Sequence, residues 1–256
     1  MTENSAQTSW LAYYKPNSKA TVRLFCFPYL GGGIHVFRPW TMKLPHFIEV
    51  CAIQMPGRGN RVKEPALNRM SSLVDTLSVT ISNYLDKPFA FFGHSMGALV
   101  GFELARKLRA AYQVEPMHLF VSSSCPPDKI KKEKPIYNLR DAAFLREVRE
   151  LNEIPDEIFE QPELAQLVLP ALRADFAIYQ TYSYKPQAPL SCPVTAFGGR
   201  EDPSVSKSCL NGWRKHTRAD FSTRVFSGDH FFLTSSQTAL LRSIARSLEK
   251  QVQSGK

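Results

Sequence analysis

Long apolar runs are missing from this chain. Stretches such as residues 24–27 and 89–92 fall far short of the roughly 20 consecutive apolar residues that span a bilayer, so no membrane helix is expected. Residues 1–10 are polar and lack the basic start and apolar stretch of a secretory leader, which makes the cytoplasm the expected location. Cysteine is scarce as well. The five present (Cys26, Cys51, Cys125, Cys192 and Cys209) form an odd set without a CxxC pair, which argues for reduced thiols and against a disulfide framework or a metal site. Cys26 and Cys51 lie in strand-like runs and read as small core residues. Internal repeats and low-complexity segments are absent, and so is the G-x-x-x-x-G-K-[ST] loop that would cradle a nucleotide phosphate.

Negative charge is in deficit. With 32 Lys and Arg against 23 Asp and Glu, the formal net charge is +9. The basic residues are spread along the chain, the densest group being Lys129, Lys131, Lys132 and Lys134, and no nucleic-acid-binding motif accompanies them. Nucleic acid is therefore not an expected partner. A solvated basic surface that aids solubility and a surface that attracts an acidic protein both fit such a balance.

What is present suffices for one enclosed domain over residues 1–256. A chain of 256 residues with 43% hydrophobic content can bury roughly three quarters of its unfolded surface. β-rich runs occur at residues 21–27, 47–54, 89–92, 118–122, 193–197 and 221–226. Helical patterns lie at residues 72–85, with Leu73, Leu77, Ile81 and Leu85 at four-residue spacing, and at 98–111 and 237–251. That alternation predicts an α/β fold, a mostly parallel sheet flanked by helices. Residues 126–189 break the pattern: helical stretches at 141–151 and 163–182, punctuated by Pro155, Pro162 and Pro170, occupy a segment without a strand-like run. It is too long for a simple crossover and reads as a helical lid, the plainer alternative being a packed subdomain with no gating role. Phe144, Leu145, Phe176 and Tyr179 would line a channel there or fill the helical core, and core packing is the simpler expectation.

Residues 91–108 read FFGHSMGALVGFELARKL. Gly93-His94-Ser95-Met96-Gly97 matches G-x-S-x-G after a strand and before a helix, the context of a nucleophile elbow. A turn sharp enough to lift a serine hydroxyl clear of the backbone leaves no room for side chains two residues to either side. At the helix start the Met96 amide would face a developing oxyanion. A second donor is expected from the glycine-rich run Phe27-Pro28-Tyr29-Leu30-Gly31-Gly32-Gly33, whose glycines let backbone amides approach a ligand.

A serine needs a base, and the base needs an acid, in the order Ser, Asp or Glu, His. His94 belongs to the elbow and should point away from the hydroxyl; His35 and His46 lie upstream; His118 opens a strand; His216 sits in a basic segment and reads as solvated. His230, on the loop after the last strand, is where the base should be. For the acid, Asp202 lies just past the run at 193–197, with Glu201 as competitor and Asp229 poorly placed. Ser95, Asp202 and His230 would all lie at carboxyl ends of strands, where open α/β sheets assemble sites.

The stretches FCFPYLGGG, QMPGRGNRVKEP, FFGHSMGALVGFELAR, LRADFAIYQTYSY, CPVTAFGGREDP and FSGDHFFL, in this order, resemble the type II thioesterases of nonribosomal peptide and polyketide synthases, which are α/β-hydrolases. The resemblance implies Ser95 as nucleophile, His230 as base and Asp202 as its partner, with Tyr29 and Met96 in the oxyanion hole. Members of that family often have histidine where Tyr29 stands, which leaves the choice between the Tyr29 and Leu30 amides open. The implied reaction is hydrolysis of acyl thioesters on the phosphopantetheine arm of acyl or peptidyl carrier domains, an editing role in antibiotic biosynthesis. No cofactor is implied, carrier domains are generally acidic, and a monomer is the default expectation. A general carboxylester or acyl-CoA hydrolase is the alternative, and a non-catalytic binding protein on the same fold is a more distant one.

Overall fold

The computed structural model describes residues 10–13, 15–130, 134–151 and 162–254. Lys131, Lys132 and Pro155 lie outside them. Seven strands form one sheet: β1 (Leu11–Ala12), β2 (Val22–Phe27), β3 (Ile48–Ile53), β4 (Phe89–His94), β5 (His118–Ser122), β6 (Val194–Gly199) and β7 (Phe221–Phe226). Their order is β1-β3-β2-β4-β5-β6-β7, parallel throughout except for the antiparallel pairing of β1 with β3. Every residue of β2 to β6 is buried, as expected of parallel strands covered on both faces. β1, two residues at an edge, is too short for any pattern to announce it.

The helices are α1 (Trp40–Lys43), α2 (Met70–Ser82), α3 (Met96–Tyr112), α4 (Asp141–Glu150), α5 (Pro162–Gln180), α6 (Lys207–Asn211), α7 (Phe232–Ser235) and α8 (Gln237–Ser254). Alternate residues of one strand point to opposite faces, and the core divides accordingly. Phe25, Phe27 and Phe91 pack with α2, α3 and with Phe144 and Phe176 from α4 and α5. Leu24, Cys26 and Phe92 pack on the other face with Trp40 of α1 and Leu240, Ile244 and Leu248 of α8. α4 and α5 are the described α-helices between residues 126 and 189, and their apolar faces are continuous with the first of these cores. None of the described helices is long and apolar enough to cross a membrane.

Two expectations are corrected. Cys125 and Cys209 form a disulfide, with Cα atoms 5.2 Å apart across 84 residues of sequence, whereas Cys26, Cys51 and Cys192 are free and buried. Spacing along the chain carries no trace of that pair, because the fold alone brings the loop after β5 beside α6. His216 is buried, not solvated: its ring contacts Phe102, Tyr184 and Trp213, and its Nε2 lies 2.7 Å from Asp128 Oδ1. The basic residues around it conceal a hydrogen-bonded contact with a carboxylate 88 positions away.

Candidate active site

The turn between β4 and α3 is as tight as its glycines require. Ser95 has φ 52° and ψ −120°, outside the regions an L-residue adopts comfortably, at a cost of roughly 1–3 kcal/mol. Its amide donates to the Ser122 carbonyl at 2.8 Å, pinning the turn to the end of β5. A Cβ on Gly93 would stand 2.1 Å from the Gly97 carbonyl oxygen, and one on Gly97 would stand 2.3 Å from that of Phe27. Met96 is the first residue of α3, so its amide has no intrahelical acceptor.

Behind Ser95, His94 is fully buried. Its Nε2 donates to the His230 carbonyl at 2.9 Å, which leaves Nδ1 to accept from the Ser122 hydroxyl, also at 2.9 Å. The elbow histidine thus faces away from the cavity and holds the backbone of His230. Desolvation first, then the nearby charge of His230, pushes the His94 imidazole down to about 3. It is neutral when folded and titrates near 6.5 when unfolded, so the unfolded chain binds the extra proton and stability falls as pH drops from about 6.5 toward 3. At about 1.4 kcal/mol per unit the loss is on the order of 4 kcal/mol by the lower end. Acid unfolding followed by circular dichroism is expected to have its midpoint moved to lower pH by His94→Gln; an unmoved midpoint refutes this account.

His230 Nδ1 lies 2.9 Å from Asp202 Oδ2, with the carboxylate side chain fully buried. Oδ1 of Asp202 accepts from the Ser204 and Val205 amides at 2.9 and 3.2 Å. Burial pushes this carboxyl up, but His230, the Ser204 amide and the Ser123 hydroxyl together hold it below the usual carboxylate value. The competing acids are engaged elsewhere: Glu201 accepts from the Gly228 amide and Asp229 from that of Phe231. The structure therefore brings His230 and Asp202 together and leaves Glu201 and Asp229 to shape loops.

Ser95, Met96, Leu30 and His230 border one cavity of about 290 Å³. Tyr29 does not border it; its ring packs edge-on against His94 and Phe231, and its carbonyl accepts from the Gly32 amide. Phe176 and Tyr179 of α5 face the cavity, whereas Phe144 stands behind Phe176 in an edge-on contact within the core. The remaining walls include Cys125, Lys129 and Val205. Among the described residues, no group of three or more His, Cys, Asp or Glu side chains could hold a metal ion.

Ser122 and Ser123 were not anticipated, although between them they tie His94, His230 and Asp202 to the end of β5. The signal available was Ser122-Ser123-Ser124, three hydroxyls in a row directly after an apolar strand. Arg58 and Asp175 were missed too: both lie in stretches that carry the family resemblance, QMPGRGNRVKEP and LRADFAIYQTYSY, but nothing local pairs them.

Residues 22–248 match the family described as Thioesterase domain. The chain is 45% identical to "Linear gramicidin dehydrogenase LgrE" of Brevibacillus parabrevis, over 94% of its own length and 92% of that protein's. It is 41% identical to "Gramicidin S biosynthesis protein GrsT" of Aneurinibacillus migulanus, over 97% of each. Among solved structures, the type II thioesterase BorB from the borrelidin biosynthetic cluster superposes with a TM-score of 0.86 at 32% identity, covering 95% of this chain and 99% of that one.

Proposed function

Because the chain belongs to the thioesterase family, we propose that Ser95, His230 and Asp202 are its catalytic residues and that its substrates are acyl groups held on the phosphopantetheine arm of carrier domains. It is a serine-type thioester hydrolase of the α/β-hydrolase fold, of the type II kind that serves nonribosomal peptide and polyketide synthases by removing aberrant acyl groups or releasing products. The observation that carries the residue assignment is the 2.9 Å contact between His230 and a buried Asp202, in a wall of the cavity that Ser95 also borders.

The chemistry follows from that arrangement. With Nδ1–H donated to Asp202, His230 carries its lone pair on Nε2, which takes the Ser95 proton as Oγ attacks the thioester carbonyl. The Met96 amide and one from the Tyr29–Leu30 segment receive the oxyanion; Leu30, which borders the cavity, is the better placed of the two. Collapse breaks the carbon–sulfur bond, and the pantetheine sulfur leaves as a thiol with the proton from His230. Water then gives its proton to His230 and attacks the acyl-enzyme, and Ser95 recovers its hydrogen as the free acid departs.

A carrier partner gives the excess of positive charge a use. Lys129, at the cavity wall, and the net charge of +9 would draw an acidic carrier toward the mouth of the site. The test compares one acyl group on three supports: a phosphopantetheinylated carrier, coenzyme A and pantetheine, which is uncharged. Release is expected to be fastest from the carrier, and kcat/KM there is expected to fall roughly tenfold between low and high salt, with little change for pantetheine. Equal rates on all three supports, insensitive to salt, would assign the chain to general thioester hydrolysis without a carrier.

A further inference from the structure

Asp175 lies on α5, within the helical segment between β5 and β6, and its side chain is 1% exposed. Its two oxygens take both arms of Arg58: Nη1 donates to Oδ2 at 2.7 Å and Nη2 to Oδ1 at 2.6 Å. Oδ2 also accepts from the Gly31 amide at 2.8 Å, and Arg58 Nη1 donates to the Gly32 carbonyl at 3.1 Å. One buried ion pair therefore grips two successive residues of the loop that carries Leu30 to the cavity. Three glycines in a row, Gly31 to Gly33, offer no side chains by which packing could fix that loop, and each adds backbone freedom. The restraint comes from outside, from a helix 144 positions further along the chain.

Stability gives no sufficient reason for the pair. Buried ion pairs are often replaceable by apolar residues of similar size without loss. Its position does give a reason, since the Gly31 amide is the next peptide after the one that bears the Leu30 amide. We propose that Arg58 and Asp175 are positioning residues for the oxyanion hole, so that the placement of the lid helix α5 sets the placement of the Leu30 amide. This rests on Ser95 being the nucleophile as read above. Neither side chain borders the reacting atoms; both act through the glycine loop.

Two double variants isolate the effect. Arg58→Met with Asp175→Asn removes both charges but keeps an acceptor for the Gly31 amide, and Arg58→Met with Asp175→Leu removes both charges and the acceptor. Neither leaves a lone buried charge. On an acyl-pantetheine substrate the leucine variant is expected to have kcat about 10- to 100-fold below the asparagine variant, with KM and melting temperature alike. A trifluoromethyl ketone that forms a tetrahedral adduct on Ser95 should lose affinity in step with kcat, while the product acid should not. Arg58→Lys, which keeps the charge but loses the planar fork, reports independently: a drop of about tenfold in kcat at constant KM is expected. Equal kcat in both folded doubles, or losses that track melting temperature alone, overturns the positioning role. If the leucine variant fails to fold, an Arg58→Lys kcat equal to that of wild type overturns it instead. A wild-type enzyme without Ser95-dependent release would fell the underlying assignment and this role with it.

Discussion

Ser95→Ala is expected to lower kcat by about six orders of magnitude and Asp202→Asn by about four, with KM and folding little changed in either. The first removes the atom that bonds to the acyl group. The second keeps nearly every contact, since an asparagine oxygen can still accept from the Ser204 and Val205 amides that now bond Oδ1. What it changes is the group facing His230 Nδ1, where an amide N–H replaces a carboxylate oxygen 2.9 Å away. Two donors cannot share one contact, so the imidazole must carry its hydrogen on Nε2, the nitrogen that should take the Ser95 proton. Steady-state release of an acyl thioester, with active-site titration to correct for inactive protein, measures both. A loss below tenfold for Asp202→Asn would remove Asp202 from the catalytic set and send the search back to the other carboxylates.

Gly97→Ala is expected to damage fold and site together. The added methyl would meet the Phe27 and Pro28 carbonyl oxygens at 2.3 and 2.6 Å, and neither side of that contact is a flexible side chain. Either α3 moves away from β2 or the chain leading into the glycine loop is pushed outward. Overpacking of this kind costs about 3 kcal/mol or more, roughly 6–12 °C in melting temperature for a chain of this size. The part that still folds should show kcat reduced about a hundredfold, because the oxyanion donors on Met96 and in the glycine loop no longer converge. Gly101→Ala, one turn along the same helix, is the control: its nearest neighbour is a Phe27 ring carbon at 3.4 Å, an ordinary contact. It should be neutral or stabilise by about 0.5–1 kcal/mol, as expected when alanine replaces glycine inside a helix. Calorimetry and steady-state rates on both variants decide the matter, and a Gly97→Ala enzyme with wild-type stability and rate would show that the elbow has room to spare.

How much of this was legible in the sequence depended on whether the determining contacts were local. The central strands showed because each is buried on both faces, and β5 falls at the expected residues, as does the more exposed edge strand β7. Ser95 showed because a turn that crowds its own neighbours demands glycine at fixed offsets. Asp202 was preferred to Glu201 on its place after the strand and on the family resemblance, since adjacent carboxylates in a polar loop otherwise look alike until one of them meets a histidine 28 positions on. Three of the features that were misread or missed are long-range: the Cys125–Cys209 bond, the Asp128 partner of His216, and the Arg58–Asp175 grip on the glycine loop. In each, two unremarkable residues become a unit only when the sheet has placed them side by side. The second oxyanion donor was left open between the Tyr29 and Leu30 amides; in the structure the Tyr29 ring packs against His94 and Phe231, while Leu30 borders the cavity.

The φ of 52° at Ser95 sets the scaffold and the reaction at odds over one residue. Glycine takes up that conformation without cost; serine does not. In a gene pool screened only for surviving heat, position 95 would drift to glycine while Gly93 and Gly97, which the fold cannot spare, stayed fixed. A descendant reading Gly-His-Gly-Met-Gly in this turn would be a sturdier molecule than its ancestor and a silent one, and its codon would record when the lineage stopped needing the chemistry.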